Sequence, residues 1–191
     1  MNAASEIAFL ICLFFVEGHL SCPIGRVTSV CCVENVSMSF TWNSGRLTES
    51  YRTAIQRART HTDFFNHLCV DTDHILLAVF EDAGSAMDTV LSTFDINVHA
   101  VLSEFVRLRP PGPVHNCSGI IPSSGDTKAA VDYSFKEADR VEQRHVETVH
   151  LFLGLLRIEC GAAVRLLTNI GENVHLLRRG TLQYIGGHNA S

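Results

Sequence analysis

Two phrases hold the side chains of this sequence most suited to chemistry: VDTDHILLAVF at residues 70–80 and VETVHLFLGLL at 146–156. Each places a histidine two residues after a threonine and at the head of an apolar run, His74 after Thr72 and His150 after Thr148, with a constant spacing of 76 residues. An imidazole can carry a proton, ligate a metal or hydrogen bond to backbone. Asp73 adds a carboxylate that can accept from a cation, whereas the second phrase has Val149 in that place. No metal or cofactor is expected, because neither histidine has a cysteine or second acid spaced beside it as a ligand. His74, His150 and Thr148 are read as structural helix-start residues, and His99 and His175 as surface residues at later helix starts. The helix macrodipole favours Asp73 at an N-terminus with or without a ligand.

Other classes of chemistry find little support. An enzyme needs a nucleophile with a base or a paired acid, and the G-x-S-x-G, H-E-x-x-H and Cys-His signatures are absent. A helical DNA-binding regulator needs a basic recognition helix, yet the most basic candidate is LLRRG at 176–180, in a chain of net charge −5. These remain the alternatives to a binding module; neither a nucleic-acid nor a membrane partner is expected. Seven cysteines, with no C-x-x-C pair, read as free thiols in a reducing compartment.

The elements that position the two phrases come in duplicate. Residues 70–99 align with 146–175 without a gap, and nine of the thirty pairs are identical. The apolar runs predict helices buried on every side, with Thr72 and Thr148 placed to cap them. Ahead of the first, Tyr51, Ala54, Ile55, Ala58 and Thr62 mark an amphipathic helix capped by Thr48. Val131, Ser134, Phe135, Ala138 and Val141 mark its counterpart, capped by Ser124 or Asp126, with Lys136, Glu137, Asp139 and Arg140 on the outer face. The full expectation is helices over 48–65, 73–82, 85–93, 98–106, 124–142, 149–158, 161–169 and 174–184, with Gly161 permitting a tight turn or close packing.

The 191 residues, 46% of them hydrophobic, suffice for one core. The fold class is therefore all-α, an eight-helix pseudo-two-fold duplicated bundle of two four-helix repeats, at about 46–106 and 124–185, with a Pro/Gly/Ser-rich linker at 107–123. Residues 1–37 read as an extension ahead of a start at Met38, where residues 38–191 begin as one domain. Ile7–Val16 is apolar, but the MNAASE before it lacks a positive charge. The expected location is the cytoplasm, with export or anchoring through residues 7–22 as the alternative.

HILLAVFEDAGSAMDTVLSTFDIN and HLFLGLLRIECGAAVRLLTNIGEN resemble the repeat of the Clp N-terminal domain, the module that begins the Clp-type protein-unfolding chaperones. Leu47-Thr48-Glu49 falls where that family begins its first helix, and the resemblance spans about residues 46–185. It does not extend to the ATPase, since no G-x-x-x-x-G-K-[ST] occurs. The resemblance implies a non-catalytic protein-binding module, an accessory or regulator of Clp-dependent proteolysis. Its implied partners are a Clp ATPase, a protease subunit, an adaptor or a substrate polypeptide. In some members the acid of the Thr-acid-His phrase contacts phosphorylated arginine. Carried over, this makes Asp73 the candidate peptide- or phosphoarginine-binding residue, with Thr48 and Thr72 accompanying it, and leaves the second copy without an acid.

Overall fold

A computed structural model describes residues 44–82, 86–113 and 121–188. The extension at 1–37 with its four cysteines, the start at Met38, and Cys117 lie outside the described residues. After a 3-10 turn at Ser44–Arg46, eight helices follow among the described residues: α1 (Glu49–Phe64), α2 (Thr72–Phe80), α3 (Ala86–Thr93), α4 (Val98–Leu108), α5 (Gly125–Arg140), α6 (Thr148–Leu155), α7 (Ala162–Asn169) and α8 (Val174–His188). None of them is long and apolar enough to cross a membrane.

Every residue of α2 and α6 is buried, as their unbroken hydrophobicity requires. These two spines pack against each other, with the Phe80 and Phe152 rings 5.8 Å apart. Each amphipathic helix lies on its own spine, α1 on α2 and α5 on α6. The second of these crossings is the tighter: a Cβ built on Gly154 would stand 2.1 Å from the Ala130 carbonyl oxygen.

The duplication is visible in the backbone. Thr48 and Ser124 cap α1 and α5 through their hydroxyls. Asn66 and Glu142 both turn out of those helices at positive φ, as do Asp95 and Gly171 after α3 and α7. The copies are also stitched reciprocally: Val146 N–H donates to Arg46 O and Thr48 N–H to Val146 O, while Val70 N–H donates to Pro122 O and Ser124 N–H to Val70 O.

Two sequence expectations are corrected here. Thr72 and Thr148 do not cap their own helices; the N-caps are Asp71 and Glu147. Asp71 accepts from Thr72 N–H, and the histidine three residues on accepts from the cap's own N–H in both copies, at 3.0 Å. This is a capping box with imidazole in the role usual for glutamate. It releases the threonines to work across the copies: Ala163 N–H, in the first turn of α7, donates to Thr72 Oγ1, and Thr148 Oγ1 donates to Asp82. The N-cap of α7 is Gly161, whose missing side chain Thr72 replaces. Glu137 is the second correction, for it is completely buried rather than on the outer face.

The cross-copy cap is testable. Thr72→Val keeps the shape but leaves the Ala163 N–H without an acceptor, so urea denaturation is expected to show a loss of about 2 kcal/mol. Thr72→Ser should recover most of it. Equal stabilities for the valine and serine variants would mean that the bond contributes nothing.

Candidate functional site

The start of α2 gathers several ionisable groups into a connected network. His74 Nδ1 accepts from Asp71 N–H, so its proton is on Nε2, which lies 2.8 Å from His67 Nδ1. His67 must then accept there and carry its own proton on Nε2, which donates to Pro110 O at 3.2 Å. One helix cap thus sets the hydrogen-bonding roles of two histidines in series. Phe105 packs edge-on against His74, and Phe65 stacks on His67. Burial lowers the His67 pKa, and the neighbouring His74 and Arg109 act in the same direction against Pro110 O and Asp73.

Asp73 is 4% exposed. Its Oδ1 accepts from the His74 N–H, and its Oδ2 lies 3.1 Å from Arg109 Nε. Arg109, the C-cap of α4, also donates to Asp71 Oδ2 at 2.7 Å. Burial alone would raise the Asp71 pKa, but the bonds from Arg109, the Thr72 N–H and Ser124 hold it below its ordinary value. The two carboxylates likewise raise the Arg109 pKa against the effect of burial. A single guanidinium from this chain thus bridges both acids at the head of α2, the charge-assisted arrangement that carboxylates favour.

The second copy lacks this network. Val149 is buried where Asp73 stands in the first. His150 keeps the cap bond, but its Nε2 is buried without a partner among the described residues. Burial pushes its pKa down from 6.5 to about 4.

Of the candidate residues, Thr72 and Asp73 share one turn, with the Thr72 hydroxyl engaged by α7. Thr48 is elsewhere: its hydroxyl accepts from Tyr51 N–H and donates to Val146 O at the head of the second spine. Its counterpart Ser124 is the hydroxyl that reaches Asp71. Sequence reasoning missed Arg109 and His67. Arg109 lay within a stretch read as linker, and the only available signal was its charge beside the prolines. Among the described residues no group of three His, Cys, Asp or Glu could hold a metal ion.

The fold and the reciprocal stitching define a duplicated helical module. Residues 46–170 match the family model for the Clp repeat (R) N-terminal domain, and the chain belongs to that family. It is 28% identical over 142 residues to the ATP-dependent Clp protease ATP-binding subunit ClpC of Staphylococcus aureus, covering 74% of this chain and 17% of that relative. The ClpC of Staphylococcus saprophyticus matches to the same extent. The chain thus spans about a sixth of the length of these curated relatives. Among solved structures, the N-terminal domain of ClpD from Arabidopsis thaliana aligns with a TM-score of 0.61 at 20% identity, over 78% of this chain and 97% of that one. The Hsp104 N-terminal domain from Candida albicans aligns at 0.62 and 14% identity, over 73% and 91%. At these identities the structural likeness concerns the fold.

Proposed function

We propose that this chain is a non-catalytic, cytoplasmic binding module that receives adaptor or substrate polypeptides for a Clp-type unfoldase and so regulates Clp-dependent proteolysis. Membership of the Clp repeat family carries this reading, together with the absence of a nucleotide-binding P-loop sequence from these 191 residues. Affinity capture of the chain from its source cell tests it. A Clp ATPase or its protease subunit is expected among the retained proteins, and a stoichiometric partner unrelated to either overturns the reading.

Asp73 is the proposed contact for an arginine-bearing peptide, and Arg109 occupies the carboxylate that such a peptide would need. An incoming guanidinium must therefore displace the chain's own. Arg109→Gln is expected to strengthen binding of a phosphoarginine peptide several-fold in fluorescence anisotropy. Asp73→Asn should weaken it several-fold and, because it breaks the buried pair with Arg109, should also lower the melting temperature, so binding is measured well below the transition. Val149→Asn should leave binding unchanged. Equal effects of Asp73→Asn and Val149→Asn would reduce Asp73 to a helix-start residue.

A further inference from the structure

Away from the Asp73 network, the second copy carries an open cavity of about 830 Å³ between the C-terminal end of α6, α7 and the start of α8. Tyr133, Arg157 and Arg178 line one side of it, and Leu156, Val164 and Val174 supply apolar wall. A smaller cavity of about 350 Å³ adjoins through His175 and Arg178. We propose that this cavity binds a carboxylate carried on an apolar stretch of polypeptide, with Arg157 and Arg178 as its cationic floor.

The guanidinium groups are held in place before any ligand arrives. Glu137 Oε1 accepts from Arg178 at 2.7 Å and from Arg157 at 3.2 Å, and Oε2 lies 3.7 Å from Arg140. One fully buried carboxylate thus faces three arginines and orients Arg157 and Arg178 at the cavity. Arg157 also lies 4.7 Å from the centre of the Tyr133 ring, a cation–π contact that adds to its placement. Each arginine spends one edge on Glu137 and remains partly exposed. Arg178 Nε is buried without an acceptor among the described residues.

The first copy serves as an internal control, because it builds the same place with one arginine, Arg57, on Glu81 rather than three on one carboxylate. The counterparts of Glu137 and Arg157 are His61 and Glu81, which meet at 2.9 Å with the polarity reversed. The counterpart of Arg178 is Leu102, a buried core residue. The repeat fold therefore requires neither arginine. Their convergence on a cavity is particular to the second copy, and positioned guanidiniums recognise oxyanions.

The rest of the lining narrows the ligand. Glu159 and Glu172 also face the cavity and balance the two arginines, so repulsion grows with ligand charge and weighs most against nucleic acid or a doubly charged phosphate, while a single carboxylate is read through direct bonds to the guanidiniums. The apolar wall suits a neighbouring aliphatic side chain. This site goes beyond the function proposed above and uses none of the residues around Asp73.

The test is an NMR titration of the isotope-labelled full chain with acetylated, amidated Leu-Leu-Glu-Leu, its glutamine analogue, and inorganic phosphate. The glutamate peptide is expected to shift the amide signals of Thr168, Asn173, His175 and Arg178, with the glutamine analogue bound about tenfold more weakly. Arg178→Gln should cost a similar factor. Thr168→Glu places a negative charge at the cavity without touching Glu137, and should block binding at an unchanged melting temperature even if Arg178→Gln fails to fold. Asp73→Asn should leave this binding intact, which separates it from the arginine-peptide site. Equal binding of the two peptides, phosphate binding as tight as the peptide's, or shifts confined to other helices would overturn the proposal.

Discussion

Replacing Gly154 with valine is expected to lower the unfolding free energy by about 3 kcal/mol or more, enough to leave much of the protein unfolded if its total stability is ordinary. The atom that meets the new Cβ is the backbone oxygen of Ala130, at 2.1 Å, and the backbone nitrogen of Ser134 follows at 3.0 Å. A flexible side chain could move aside, but a helix backbone can yield only by shifting all of α5. That helix is tied to the core by Ala130, Val131 and Ala138, and to α8 through Glu137 and Arg178. The first copy has Ala78 in the equivalent place and tolerates it, so the two spine crossings differ by about one methyl group. Ala78→Gly should therefore cost only about 1 kcal/mol, from lost helix propensity and a small cavity. Urea denaturation of both variants decides the point: comparable losses for Gly154→Val and Ala78→Gly would show that the α5–α6 contact is looser than its geometry implies.

The helices were legible because their signals are local. A run such as Ile75 to Phe80 can be placed only inside a core, and Thr48 and Ser124 announce their helices by chemistry that acts three residues away. The 76-residue spacing carried the pairing of the copies in the same way. What sequence could not reveal were partners decided by the packing of one copy on the other. Thr72 looks like an N-cap of α2 and instead serves α7, because Asp71 and His74 already close the cap from both sides. Glu137 has the neighbours of a solvated residue, Lys136 on one side and Asp139 and Arg140 just beyond. Its burial follows from Arg157 just after α6 and Arg178 on α8, 20 and 41 residues away. Arg109 was hidden in the same manner: nothing within the proline-rich segment reveals that its guanidinium returns to the head of α2.

Lowering the pH from 7 to 4 is expected to remove about 3 kcal/mol of stability through His150, whose pKa falls from 6.5 to about 4 on folding. The cause is first its burial, for the ring is completely enclosed. Nearby Arg46 lowers the pKa further, and Glu137 opposes the shift. The geometry acts in the same direction: Nδ1 is committed to accepting the Glu147 N–H, and a proton placed there would break the cap of α6. Because the folded pKa is the lower one, the unfolded chain binds the proton first. Stability is thus full above about pH 6.5, declines as the unfolded chain protonates, and stops declining through this group near pH 4. His67, also depressed, adds a smaller loss of the same sign. His150→Gln keeps an acceptor for the cap N–H and cannot titrate, so it should flatten most of the slope between pH 6.5 and 4 while costing about 1 kcal/mol at pH 7. Urea unfolding at half-unit pH steps measures both proteins. A glutamine variant with the slope of the parent would place the pH sensitivity elsewhere, and with it the reading of His150 as a neutral cap held inside the core would fall.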